Sequence, residues 1–214
     1  MNRTSVMMRG HALLGLASCA VLFLLITAGH VFGPYVDPWT DPVSNLALGQ
    51  AKLLAAIAFG LGGLGCFALA IAIWHAQSSP SWQATTCMAL GSVCIGLLSL
   101  FPTDGGVVPQ TTASRIHAVA ALFGFSLVQA SLLLHGRHFA RSTRWRPVHR
   151  LLQTLAYASL AFLAATGVLS LGSMVAGRFL PFTGLAERLV VAAMLSWTMV
   201  ASIRLYKLGK SAAS

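Results

Sequence analysis

The chain has 214 residues and a formal net charge of +10, but only 8% of its residues are charged and 57% are hydrophobic. Soluble domains carry about 25% charged residues, so this chain has too few polar side chains to cover the surface of a soluble fold. Composition therefore excludes a soluble globular protein and predicts an integral membrane protein whose apolar side chains face lipid.

Six stretches of the sequence are apolar and long enough to cross a bilayer, which takes about 20 residues of α-helix. They are continuously apolar and do not alternate in polarity, which favours helices over strands. We predict an all-α fold, an integral membrane bundle of six transmembrane helices that forms a single transmembrane domain over residues 1–214. The spans are expected at approximately 11–32, 51–74, 84–101, 116–134, 151–173 and 187–206.

The basic residues are divided unequally between the two sides that six spans define. One side receives ten of them and no acid: Arg3, Arg9, Arg137, Arg141, Arg144, Arg146, Arg150, Arg204, Lys207 and Lys210. The other side receives all four acids, Asp37, Asp41, Asp104 and Glu187, with Lys52, Arg115, Arg178 and Arg188. Because Lys and Arg in short loops mark the cytoplasmic side, both termini are expected in the cytoplasm and the protein in the inner membrane, as a multi-pass protein. Topology and attraction to anionic lipids account for the net charge, so no nucleic-acid partner is expected.

Polar residues gather where the spans meet the acid-bearing side, which we expect to face outward. Pro102 ends the third span, and Asp104 follows it in the outer interface. His117 lies one to two turns inside the fourth span. Ionisable groups near hydrocarbon are costly, so they usually pair with one another or face a cavity. The candidate ligand-binding residues are Ser44, Asp104, His117, Glu187 and Arg188.

Two interpretations fit this constellation. The charged groups and imidazoles could form pairs that hold helices together, or they could form the polar end of a ligand site. In an enzyme, His117 would serve as general base or metal ligand, and Asp104 as the carboxylate that orients it. A metal site needs three or four converging ligands, for which His30, His117 and Asp104 are the candidates. The sequence has no closely spaced histidine motif, and we expect no cofactor.

Three other patterns receive structural interpretations. Residues 60–65 match G-x-G-x-x-G but lie in the middle of a span, so we interpret them as a helix-packing surface and not as a dinucleotide site. The four cysteines all lie inside spans and are interpreted as small packing residues. The histidines of the basic side are expected at the membrane interface: His11, His75, His135, His138 and His149.

Short motifs on the acid-bearing side resemble one known family. They are Ser44-Asn-Leu-Ala-Leu before the second span, Phe101-Pro-Thr-Asp104 after the third, His117 in the fourth, and Gly184-Leu-Ala-Glu187-Arg188-Leu at the start of the sixth. In order and position they resemble the bacterial multi-pass membrane proteins catalogued as domain of unknown function 998, over nearly the whole chain. The resemblance implies a six-helix integral membrane protein and no established reaction.

These observations support three hypotheses of function. The first is binding of a lipid or small apolar molecule at an outward-facing polar site, with membrane lipids as partners. The second is a metal-dependent membrane hydrolase acting on lipid at the outer leaflet, because Ser44, Asp104 and His117 resemble the serine, aspartate and histidines of membrane hydrolases that hold zinc. The third is a small-molecule transporter, which the sequence favours least because no span carries a charge at its centre.

Overall fold

The computed structural model describes residues 3–32 and 36–211. In these ranges the chain forms six α-helices and no strand: α1 (Arg3–Phe32), α2 (Lys52–Ala76), α3 (Trp82–Leu97), α4 (Thr112–Phe139), α5 (Arg146–Ala176) and α6 (Thr183–Ser211). Five of these helices are long and apolar enough to cross a membrane, and α3 is a shorter apolar helix. The prediction of an all-α fold is confirmed, six helices fit the described chain, and the long apolar helices indicate a multi-pass membrane protein.

The third helix is shorter than its predicted span of 84–101, because it ends at Leu97. Its 16 residues extend about 24 Å, which is less than the roughly 30 Å of a hydrocarbon core. The chain continues in tighter turns, in which Leu98, Ser99 and Leu100 each donate a backbone hydrogen bond three residues back at 3.0–3.1 Å. These turns rise about 2 Å per residue, so they extend the apolar segment toward the predicted end of the span.

The six helices form a closed ring in chain order. Each helix packs against its successor, α6 packs against α1, and α2 also touches α6 across the centre. The interface between α4 and α5 is smaller than any other interface between neighbouring helices of the ring. The loops therefore alternate between the two ends of the bundle. We call the end with the α1–α2, α3–α4 and α5–α6 loops the acidic end, because the four acids lie there, and the opposite end the basic end.

The close approach of α2 to its neighbours depends on the glycines of the G-x-G-x-x-G stretch. A Cβ atom on Gly63 would lie 2.7 Å from the backbone oxygen of Ser92 and 2.8 Å from the backbone nitrogen of Gly96, both in α3. A Cβ atom on Gly65 would lie 2.5 Å from the Cβ of Ser18 in α1. The interpretation of these glycines as a packing surface is confirmed, because larger residues would force the helices apart.

Four buried aromatic side chains stack near the basic end. The rings of Phe139 and Trp145 are 3.8 Å apart, and the rings of His135 and Phe139 are 5.3 Å apart, with Trp197 of α6 beside them. His135, which we expected at the membrane interface, has a side chain that is 0% exposed and packed inside the bundle. The physical reason is that α4 runs on to Phe139 and packs its last turn against α6, so that His135 points into the bundle.

Replacing Gly63 with Ala should destabilise the bundle, whereas replacing Gly60 with Ala should not. A Cβ on Gly60 would meet only the side chain of Ser99, at an ordinary 3.8 Å. Overpacking costs about 1–3 kcal/mol, while Ala is about 1 kcal/mol more favourable than Gly inside a helix. Thermal unfolding in detergent should therefore give a lower Tm for Gly63→Ala and an equal or higher Tm for Gly60→Ala. Equal Tm values for the two variants would contradict backbone contact between α2 and α3.

Candidate functional site

Arg188, near the start of α6, connects this helix to α1 and to the α1–α2 loop. Its Nη1 donates to the backbone oxygen of Asp41 at 2.7 Å and to that of Gly184 at 2.9 Å. Its Nε and Nη2 lie 3.3 Å and 3.2 Å from Nε2 of His30, which accepts as a neutral ring. The guanidinium thus satisfies two backbone carbonyls and an imidazole.

The first turn of α6 lies directly against the α1–α2 loop, whose described residues 36–48 we call the cap loop. Gly184 permits this contact, because a Cβ at this position would collide with the backbone oxygen of Asp41. The backbone N–H of Leu185 donates to the oxygen of Trp39 at 3.3 Å, and the rings of Trp39 and Phe182 meet nearly at right angles, with their centroids 6.2 Å apart. The cap loop is therefore fastened to α6 by backbone and ring contacts as well as by Arg188.

Glu187 holds the next part of the cap loop. Its Oε2 accepts a hydrogen bond from the backbone N–H of Val43 at 2.9 Å. Val43 begins a 3-10 turn, Val43–Ala47, and the first N–H groups of such a turn have no partner within it. No described residue donates to the other carboxylate oxygen, Oε1. Glu187 and Arg188 are adjacent, so their side chains diverge by about 100° and bind different parts of the same loop.

The cap loop is also closed by its own carboxylates. The backbone N–H of Asp37 donates to Oδ2 of Asp41 at 3.0 Å. Asp37 in turn accepts from the hydroxyl of Thr40 at 2.7 Å and from the backbone N–H of Trp39 at 3.1 Å. These hydrogen bonds, the one from Thr40 above all, lower the pKa of the Asp37 carboxyl. Asp37 and Asp41 therefore shape a tight turn within the cap loop.

Asp104 organises the α3–α4 loop. Its Oδ2 accepts from the backbone N–H groups of Gln110 at 2.8 Å and Thr111 at 3.0 Å. Its Oδ1 accepts from the hydroxyl of Ser114 at 3.0 Å and from the N–H of Gly106 at 3.3 Å. The N–H groups of Thr111 and Gln110 hold the pKa of the Asp104 carboxyl well below its usual range. The carboxylate thus joins the loop to the first turn of α4.

His117 is buried one turn further along α4, with 5% of its surface exposed. Its Nδ1 lies 2.7 Å from the backbone oxygen of Phe101, so Nδ1 is the protonated nitrogen and donates. Nε2 then carries a lone pair, to which no described residue donates. The ring also meets the edge of Phe59 in α2, with 6.2 Å between ring centroids.

The five candidate residues fall into two clusters. Glu187 and Arg188 hold the cap loop, where the partly exposed Ser44 also lies. Asp104 and His117 hold the α3–α4 loop, but they bind different backbone groups and share no hydrogen bond.

An apolar crevice of about 10 Å³ lies between α1, α2 and the cap loop. It is lined by Leu25, Ile26, Gly29, Val43, Leu46, Ala55, Ala58 and Phe59.

The candidate metal ligands are not brought together. Within the described ranges, no group of three or more His, Cys, Asp or Glu residues could hold a metal ion. His30 faces Arg188, Asp104 faces backbone N–H groups, and His117 faces a carbonyl. Each candidate thus has a partner of its own.

Replacing Asp104 with Asn should lower the Tm by an amount that is constant between about pH 5 and about pH 8. An amide offers one acceptor oxygen and would turn N–H donors toward the N–H groups of the loop. Because the pKa is lowered in the folded state, the carboxylate stabilises the fold above its ordinary pKa of 3.8. That contribution is lost only as the pH falls through the lowered value.

The control is Asp37→Asn, whose carboxylate closes only its own turn, and its effect on Tm should be smaller. Thermal unfolding of the three proteins across this pH range provides the measurement. An Asp104→Asn variant as stable as wild type at neutral pH would show that the loop does not depend on the carboxylate.

Comparison with known proteins agrees with the motifs at the acidic end. Residues 16–204 match the family described as "Protein of unknown function (DUF998)". No curated protein and no solved structure matches the chain. Since the match covers most of the sequence, including both polar clusters, the chain belongs to the family of domain of unknown function 998.

Proposed function

We propose that the protein binds a lipid whose polar head carries hydrogen-bond donors, at the acidic end of the bundle. The observation that carries this proposal is the spare acceptor capacity beside an apolar crevice. Nε2 of His117 and Oε1 of Glu187 receive no hydrogen bond from a described residue, whereas the opposite side of each group is fixed to the backbone. Each of these acceptors is therefore available to a ligand that donates a hydrogen bond.

The apolar part of such a ligand has a matching surface. Phe59 contacts the ring of His117 and also lines the crevice, and Val43 lines the crevice and donates to Glu187. Each of the two residues that carry an acceptor therefore contacts a residue of the crevice wall. The crevice itself is too small for an acyl chain, so we expect binding to separate the cap loop from α1 and α2.

The other acidic-end residues have a supporting role in this proposal. Asp104 and Arg188 direct their hydrogen-bonding groups to loop backbone and to His30. They position the loops from which Glu187 and His117 act, and Ser44 lies at the rim, in the same 3-10 turn as Val43. The hydrolase hypothesis gains no support, because Asp104 does not orient His117, and the transporter hypothesis rests on no further observation.

We further propose that the acidic end faces outward from a bacterial inner membrane, with both termini in the cytoplasm. The support is the distribution of charge, since ten of the 14 Lys and Arg residues belong to the basic side and all four acids to the other. Basic loops stay on the cytoplasmic side during insertion. The lipid would then come from the outer leaflet.

Phosphatidylethanolamine should bind more tightly than phosphatidylcholine, because its primary ammonium can donate a hydrogen bond to either acceptor and a quaternary ammonium cannot. The double variant His117→Asn with Glu187→Gln should lose this preference. Asn keeps a donor for the oxygen of Phe101 but is too short to place an acceptor where Nε2 lies. Gln keeps an acceptor for the N–H of Val43 but has an NH2 group in place of Oε1. We expect the wild-type preference to be about tenfold, from one or two hydrogen bonds to charged groups.

The measurement is native mass spectrometry of the detergent-purified protein during titration with each lipid. Asp37→Asn is the control, because it removes a carboxylate of the cap loop that has its own partners. Equal affinity of wild type for the two lipids, or an unchanged preference in the double variant, would overturn the proposal.

A further inference from the structure

A pocket of about 250 Å³ opens at the basic end, far from the cap loop. It lies where the start of α1, the end of α2, the α4–α5 loop and the end of α6 meet, and its lining residues are Met8, Ala76, Arg144, Leu208 and Ser211. The pocket is thus built from four separate segments of the chain. Its wall combines a guanidinium with apolar side chains, which suits a ligand that is charged at one part and apolar at another.

Arg144 is held in place at this wall. Its Nη1 donates to the backbone oxygen of Ala76 at 2.9 Å, which satisfies a carbonyl at the end of α2. A guanidinium has five N–H donors, and in the described chain only this one has a protein acceptor. Arg144 is exposed, so the remaining donors are available to a ligand.

Two more arginines belong to the helices that meet at the pocket. Arg204 of α6 donates through Nε and Nη2 to the backbone oxygen of Arg144, which ties the α4–α5 loop to α6. Arg9 of α1 lies over the ring of Tyr206, 5.6 Å from its centroid. All three guanidinium groups are therefore held by backbone oxygens or by a ring, and no carboxylate of the described residues pairs with them.

The surroundings reinforce the positive field. The segments that meet here also carry Arg137, Arg141, Arg146, Arg150, Lys207 and Lys210, and the four acids of the sequence all belong to the acidic end. Among the described residues, no acidic side chain lies at this end to oppose an anion in the pocket. Arg favours phosphate in particular, because its planar fork matches two phosphate oxygens.

We propose that the basic-end pocket binds a phosphate group, with Arg144 as the direct ligand and Arg204 as the residue that positions it. The apolar wall of Met8, Ala76 and Leu208 suits the glycerol ester region of an anionic phospholipid, so lipid is the source that the lining favours. Free phosphate would engage Arg144 alone. This site is independent of the proposed lipid site at the acidic end.

The test compares Arg144→Gln with Arg141→Gln in the full chain purified in detergent. Both variants remove one charge from the same loop. The amide of Arg144→Gln keeps a donor for the oxygen of Ala76, whereas Arg141 does not line the pocket. Phosphatidylglycerol, phosphatidylcholine and inorganic phosphate are titrated separately and followed by native mass spectrometry. We expect Arg144→Gln to weaken phosphatidylglycerol binding about tenfold and Arg141→Gln to weaken it much less.

The titrations distinguish a phospholipid headgroup from free phosphate as the ligand of the pocket. Phosphatidylglycerol binding that depends on Arg144, without competition from inorganic phosphate, supports a lipid headgroup. Competition by inorganic phosphate that also depends on Arg144 assigns the same pocket to soluble phosphate. Equal losses in the two variants, or no preference for phosphatidylglycerol over phosphatidylcholine, would overturn the proposal, because the attraction would then be a property of the whole basic surface.

Arg144→Lys covers the case in which Arg144→Gln does not fold. Lys keeps the charge but lacks the planar fork, so phosphatidylglycerol should bind several-fold more weakly than to wild type. Wild-type affinity in Arg144→Lys would contradict a direct role for the guanidinium.

Discussion

Charged side chains that bind loop backbone hold the acidic end of this bundle together. Within a membrane, backbone N–H and C=O groups must find partners inside the protein, and the chain meets this requirement with helices. At the helix ends and in the loops, side chains supply the hydrogen-bond partners that the backbone groups lack. Arg188 binds the carbonyls of Asp41 and Gly184, while Glu187 and Asp104 accept from N–H groups of the two loops. These three charged side chains are therefore used to satisfy backbone groups.

The ring of helices depends on these contacts unequally. The cap loop joins α1, α2 and α6, because Arg188 reaches His30 and Asp41 and because Val43 and Leu46 are buried between the helices. The α3–α4 loop is joined to α4 through Asp104 and Ser114. At the basic end the same chemistry recurs with arginines alone, since Arg144 and Arg204 both bind carbonyl oxygens. The two ends thus use one kind of interaction, and they differ in which acceptors or donors are left for a ligand.

The helices could be predicted from the sequence because apolar length is a local property. The end of α3 could not, because its last residues change to tighter turns without any change in composition. The burial of His135 could not be predicted either, because it depends on how far α4 extends and on the contact with Trp197 of α6. The glycines of α2 were interpretable, since a glycine-rich stretch inside an apolar span has few other uses.

The candidate residues were found from their charge and depth, but their partners were not. A side-chain pattern suggests pairs such as Asp104 with His117, whereas the structure gives each a backbone partner that no pattern displays. Ser114 was missed, although Thr111-x-x-Ser114 is typical of a helix start and Thr111 does accept from the N–H of Ser114. His30 was considered as a metal ligand, and its role beside Arg188 depends on the packing of α1 against α6.

Hydrogen–deuterium exchange in Arg188→Met, beside Arg178→Met as a control of equal charge change at the same end, measures how far the cap loop depends on the guanidinium of Arg188. Loss of the guanidinium releases the carbonyl of Asp41, so amides of residues 41–47 should exchange about tenfold faster or more, while those of 104–117 keep their wild-type rates. Arg178 is exposed in the α5–α6 loop, and its variant should leave both segments unchanged. Wild-type exchange of residues 41–47 in Arg188→Met would show that the cap loop is held without this guanidinium.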